Sequence, residues 1–215
     1  MKKIMFNDKY GLTQAVLDGR KTQTRRIAYN GDTENPNIRW GRIAYHRARQ
    51  VQSEGLRMLV SSTYALGEEV AVAQSYRDAG VEFIELYDGV LQGIPAPKGR
   101  EKWGFTKRMA GYTNKMFVRA DLMPHRIRIT DIRVERLQDI SDEDCMKEGV
   151  GQEYNVPEME GTTLHDMYTV PCADGSIDVF ETPREAFAAL IDRVNGRGTW
   201  KRNPYVFAYT FELIK

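Results

Sequence analysis

The chain is poor in the residues that staple small proteins or hold metals, with two cysteines (Cys145, Cys172) and three histidines among 215 residues. The cysteines stand in no metal-ligand spacing and cannot build a disulfide framework, so a reducing cytoplasm is the expected compartment. His46, His125 and His165 lie far apart, with no H-x-x-x-H pattern and no paired cysteine, so neither a metal site nor any other cofactor is expected. No apolar run approaches the roughly 20 residues that cross a bilayer. The basic start MKKIMFNDKY is not followed by the apolar stretch of a secretory leader, so no membrane partner is expected. Neither a Walker loop nor G-x-G-x-x-G occurs, which disfavours an ATPase or a dinucleotide enzyme. There is no internal repeat and no low-complexity tract.

What is present suits a globular protein. Hydrophobic residues make up 41% and charged residues 28%, enough to bury a real core, and the length fits one domain with elaborations. The net charge of +1 conceals an asymmetry: residues 1–136 carry 24 Lys and Arg against 15 Asp and Glu, whereas residues 137–215 carry 7 against 15. A basic block of this size attracts phosphate, unless the halves pack together and neutralise one another.

Periodicity then places the elements. Residues 8–18 read as a short helix, with Leu12, Ala15 and Val16 at helical spacing, Asn7 or Asp8 as cap and Gly19 as the left-handed stop. Thr22–Ala28 reads as a strand. Glu69–Tyr76 and Val81–Tyr87 read as two more, joined in a hairpin around Asp78–Gly80. His125–Leu137 (HRIRITDIRVERL) is the clearest strand, and its apolar parity shifts from Ile127 and Ile129 to Ile132 and Val134. That shift implies a bulge near Thr130–Asp131, as where strands wrap into a barrel. Ser141 and Asp144 have the capping spacing of a short helix that ends at Glu148 before Gly149. Thr182-Pro183-Arg184-Glu185 opens a longer helix burying Phe187, Leu190, Ile191 and Val194, and Tyr205–Ile214 is a closing strand. Three stretches resist such a reading and look like insertions: about 30–65, 88–115 and 150–181. The second is a loop with Arg100, Lys102, Trp103, Phe105, Lys107, Arg108, Tyr112 and Lys115, where cations interleaved with aromatics suit stacked bases and phosphates. The fold class expected is α+β, short helices among five or six strands of a barrel-like sheet.

Four features occur in a characteristic order. Gly19–Arg26 reads GRKTQTRR and matches G-x-K-x-x-T-x-R; Leu66–Val72 reads LGEEVAV; Arg133–Ser141 is followed by Glu148-Gly149; and Asn203–Phe211 closes the chain. Together these resemble the ASCH domain family of the PUA-like superfamily, in particular its longer members common on phages and prophages. The resemblance touches both ends and the middle but leaves the three insertions uncovered. It implies a single PUA-like β-barrel domain over 1–215, with short flanking helices, long loop insertions and a cleft near the first motif that binds RNA or a modified nucleoside.

One branch of the family hydrolyses the acetyl amide of 4-acetylcytidine with a Lys, a Thr and a Glu. Carried over by motif, these are Lys21, Thr24 and Glu148. Such an amidohydrolase needs a base for the threonine hydroxyl and a proton for the leaving amine. Lys21 serves as base only when deprotonated; neighbouring arginines and burial push it that way, and Glu148 opposes them. A turn at Gly19 would let Lys21 reach the strand face carrying Thr22, Thr24 and Arg26. The binding reading uses the same region without catalysis: Arg20, Lys21, Arg25 and Arg26, with Lys107 and Arg108, hold phosphates while Thr22 and Thr24 donate hydrogen bonds. RNA- or nucleoside-binding is the first expectation, the amidohydrolase the alternative, and a non-catalytic phage-type interaction protein the second alternative. A strand edge guarded by solvated arginines would explain the same residues without any ligand. Cys145 reads as packing inside its helix, and the aromatic face of Tyr205, Phe207, Tyr209 and Phe211 as core.

Overall fold

In a computed structural model, residues 1–28, 52–53, 56–57, 62–80, 110–157 and 164–214 are described. The chain has mixed α and β content and packs as two compact units, one from residues 1–6, 69–127 and 214–215, the other from 7–68 and 128–213.

The first unit is built on a parallel pair, β1 (Lys2–Ile4) beside β5 (Glu69–Val72), with Lys2 opposite Val70 and Ile4 opposite Val72. Val70, Ala71, Val72 and Ala73 are fully buried, as expected of a strand covered on both faces. The strand expected over 69–76 stops at Val72, and the chain turns through Ser75, whose hydroxyl accepts from the Asp78 N–H at 3.1 Å. Tyr76 then packs with Ala71, Ala73, Val118 and Met123. Its hydroxyl accepts from the Arg119 N–H at 3.0 Å. Gly111 passes so close to this ring that a Cβ would stand 2.7 Å from Tyr76 Cε2, and its φ of +98° suits only glycine. The expected partner strand 81–87 lies outside the described residues, as does most of the 88–115 loop.

In the second unit three strands lie in the order β6 (Arg126–Arg136), β10 (Tyr205–Ile214), β2 (Gln23–Ile27), apart from the first residues of β6, which belong to the other unit. β10 and β2 are antiparallel, with Thr24 opposite Tyr209 and Arg25 opposite Ala208. In β6 the buried positions run Ile127, Ile129, then Ile132, the parity shift expected near Thr130–Asp131. Among the described residues the sheets are open, and no barrel is closed.

The helix expected over 8–18 is broken at Gly11, whose φ is +64°. A single 3-10 turn, Asp8–Tyr10, precedes it and α1 (Leu12–Leu17) follows. The other short helix forms as expected. Ser141 caps α2 (Asp142–Lys147), its side chain accepting from the Asp144 N–H at 3.2 Å; Glu148 is the C-terminal cap and Gly149 follows at φ +100°.

The 150–181 stretch is not the irregular insertion expected. It is an antiparallel meander of β7 (Gly151–Pro157), β8 (Leu164–Pro171) and β9 (Ile177–Phe180). Its apolar alternation is weak because Ile177 and Val179 face outward, 55% and 51% exposed. Gly151 belongs inside β7 because a Cβ there would collide with the Thr169 hydroxyl. α3 (Pro183–Asn195) opens on the Thr182 cap as expected and packs on α2 and β8 through Ala186, Phe187, Leu190 and Ile191. The short α4 (Thr199–Arg202) follows, which periodicity alone does not reveal.

The Ser141 cap fixes the helix that carries Asp144 and Glu148. Ser141→Ala is expected to lower the unfolding free energy by about 1 kcal/mol, measured by urea denaturation, with Ser141→Asp retaining most of the stability.

Candidate functional site

Strand alternation divides the GRKTQTRR motif between two environments. Gln23 and Arg25 share one face of β2, and Thr24 and Arg26 the other. Lys21 precedes the strand, held by its own N–H to Ala15 O at 2.8 Å, while the Thr22 N–H bonds Lys147 O at 2.9 Å. The first bond ties the chain to α1 and the second to the end of α2. Lys21 reaches Glu148 by passing over Gly149, where an added Cβ would lie 3.5 Å from Lys21 Cδ and 3.3 Å from Leu12 Cδ2.

The Lys21 side chain is 2% exposed, and its ammonium donates to both the main-chain oxygen and Oε2 of Glu148, each at 2.6 Å. Burial is the largest influence on it and disfavours the charge; Glu148 opposes, Arg26 and Arg25 add repulsion, and the balance holds the lysine pKa below its ordinary value.

Arg25, whose side chain is fully buried, is the hub of the arrangement. Nε donates to Glu135 Oε1 at 2.9 Å, and Nη2 to the same oxygen at 2.6 Å and to Asp144 Oδ2 at 3.1 Å. Nη1 donates to Glu148 Oε1 at 3.0 Å and Gln23 Oε1 at 3.2 Å. A guanidinium has five N–H groups, and all five are engaged. Burial alone would lower its pKa, but Glu148 and Glu135 outweigh that and raise it. Arg133 on β6 adds a second cation, donating to Asp144 Oδ2 at 2.6 Å. Burial pushes the Asp144 carboxyl up, yet Arg133 and Arg25 together hold it below the usual carboxylate range. Three cations, Lys21, Arg25 and Arg133, thus meet three carboxylates, Glu135, Asp144 and Glu148.

The opposite face of β2 is built differently. Thr24 lies across from Tyr209, which is fully buried and meets Tyr64 edge-on with ring centroids 5.3 Å apart. The Ser62 hydroxyl donates to Tyr64 O at 2.6 Å, so Tyr209 must donate to Ser62 Oγ at 2.8 Å. Tyr209 in turn accepts from the Thr63 N–H at 3.1 Å. Thr24 is 5% exposed, and no side-chain hydrogen bond joins it to a described residue.

The structure therefore joins Lys21 to Glu148, as the resemblance implies, and does not bond Thr24 to either. Arg25, expected at phosphates, is instead an interior cation with no N–H to spare. Arg20 stands on the turn, its side chain 57% exposed and 3.1 Å from Asp18; Thr22 and Arg26 are half-buried. Lys107 and Arg108 lie outside the described residues. Cys145 is fully buried, and burial pushes its thiol up to about 12, which makes it inert as a nucleophile at neutral pH. Among the described residues no three His, Cys, Asp or Glu side chains are grouped to hold a metal ion.

Sequence reading missed Asp144 and Glu135 as members of this cluster. The spacing of Asp144 and Glu148, four apart on one short helix, was a usable signal, because such residues share a face. No family model, no curated protein and no solved structure matches the chain.

Glu148→Gln is expected to cost about 3–5 kcal/mol, because it takes the opposing charge from buried Lys21, while Arg25 keeps Glu135 and Asp144. Adding Lys21→Met should recover part of that loss in a double-mutant cycle measured by chemical denaturation. Asp144 gives a pH signature. Its folded pKa is depressed, so its contribution to stability is present above the ordinary carboxylate pKa of 3.8 and is lost as pH falls through the folded value. Denaturation curves taken downward through that range should show this acid loss in the wild type, and less of it in Asp144→Asn.

Proposed function

We propose that the protein is an ASCH-type, PUA-like barrel protein that binds RNA or a modified nucleoside on the Thr24 face of β2. The observation that carries this reading is the division of the motif. Lys21 and Arg25 are neutralised inside the protein, whereas the Thr24 hydroxyl, the half-buried Arg26 and the Tyr64–Tyr209 pair share the other side of the strand. A threonine hydroxyl beside rings and a guanidinium suits a planar, hydrogen-bonding base. The Lys21–Glu148 network then acts as the rigid floor that fixes β2.

One observation favours the amidohydrolase as the second reading. Lys21 touches Glu148 at 2.6 Å and holds its proton less tightly than an ordinary lysine, which suits proton exchange with a leaving amine. For that chemistry Lys21 would have to approach Thr24 when substrate enters.

Calorimetric titration with a panel of nucleosides, 4-acetylcytidine and short single-stranded RNAs tests both readings. Binding that Thr24→Val and Arg26→Ala each weaken about tenfold (~1.4 kcal/mol), and that falls with salt for the RNAs, is the expected result. Absence of binding across the panel overturns the binding reading. Chromatography of the 4-acetylcytidine mixture detects turnover, and turnover lost in both Thr24→Val and Lys21→Met would move the conclusion to the hydrolase.

A further inference from the structure

Glu148 is shared: Oε1 accepts from Arg25 at 3.0 Å and Oε2 from Lys21 at 2.6 Å. A carboxylate held by one lysine alone could rotate to present either oxygen, or both. Here the planar fork of Arg25 fixes the plane of the group. That fork is itself fixed at its far side by two short bonds to Glu135 and one to Asp144. Lysine could not replace it, because one ammonium cannot hold three carboxylates in one plane. We propose that Arg25 is the positioning residue of the Lys21–Glu148 pair, committing one Glu148 oxygen to itself so that the other faces the Lys21 ammonium. This rests on reading Lys21 and Glu148 as part of the site, and it extends that reading from a pair to a relay running from Glu135 through Arg25 and Glu148 to Lys21.

The relay has a directional consequence. Among the charges that act on Lys21 are Glu148 at the end of α2, and Arg25 and Arg26 from β2. Behind Arg25 stand Glu135 and Arg133 from β6 and Asp144 from α2, with Lys147 3.6 Å from Asp144. Glu135 accepts from two N–H groups of Arg25, at 2.9 and 2.6 Å, and so sets how that guanidinium is held against Glu148. Removing the Arg25 charge gives Lys21 the whole of Glu148 and strengthens its hold on the proton. Neutralising Glu135 frees Arg25 to draw harder on Glu148 and weakens that hold. A role by charge alone would leave the lysine unmoved in Arg25→Lys, whereas a role through the fork moves it.

The test is a pH titration of the Lys21 ¹³Cε resonance in the full chain without ligand, with Lys21→Met providing the assignment. The midpoint is expected to move up in Arg25→Gln, to move up by less in Arg25→Lys, which keeps the charge but not the fork, and to move down in Glu135→Gln. An Arg25→Lys midpoint at the wild-type value, midpoints that do not move at all, or shifts of the same sign in Arg25→Gln and Glu135→Gln overturn the proposal. Should Arg25→Gln fail to fold, Arg25→Lys and Glu135→Gln decide: opposite shifts support the relay and an unmoved Arg25→Lys midpoint refutes it. Because no ligand takes part, this outcome is independent of the nucleoside titrations. A relay confirmed without binding would count against the proposed function only, and binding with an unmoved Lys21 would count against the relay only.

Discussion

One fully buried guanidinium organises the second unit. Arg25 comes from β2, Glu135 from β6, and Asp144 and Glu148 from the short helix α2 and its cap. Burying a charge costs several kcal/mol per ion unless partners with good geometry offset it. Here every N–H of the guanidinium has an acceptor, and three carboxylates face it. Three residues are placed in a way that serves this constraint: Ser141 starts the helix, Gly149 ends it at a φ of +100°, and Gln23 fills the corner between Arg25 and Asp144.

The same constraint divides the site's chemistry. Side chains on one face of β2 are committed to one another, which is why the proposed function assigns the other face to the ligand. A strand that is ionic on one side and aromatic on the other keeps its register firmly, because a slip of one residue would put Arg25 among the tyrosines and Thr24 among the carboxylates.

Much of this was legible in the sequence, for identifiable reasons. The capped helix ending at Glu148, the strand Tyr205–Ile214 and the parity shift in Arg126–Arg136 rest on local rules of capping and alternation, and local rules suffice for them. Lys21 and Glu148 were named together by a family resemblance, not by any local rule, and that they touch is read from the structure alone. The inward turn of Arg25 was not legible, because arginine is ordinarily a surface residue and its partners are 110 or more residues away in the chain. The meander of β7, β8 and β9 was hidden for the opposite reason: its outward Ile177 and Val179 blur the alternation that marks a half-buried strand. Gly11 broke the expected helix because a single left-handed residue outweighs good helical spacing on either side of it.

The distance along the chain between the partners has a consequence for how the molecule folds. Lys21 and Glu148 are 127 residues apart, and Arg25 and Glu135 110. Contacts of such separation form only after large loops have closed, which slows folding. The cluster is complete only when β2, β6 and α2 have all arrived, so the full offset of burying Arg25 is gained late. The Thr24 face of β2 takes its final place together with the ionic face, because both belong to one strand.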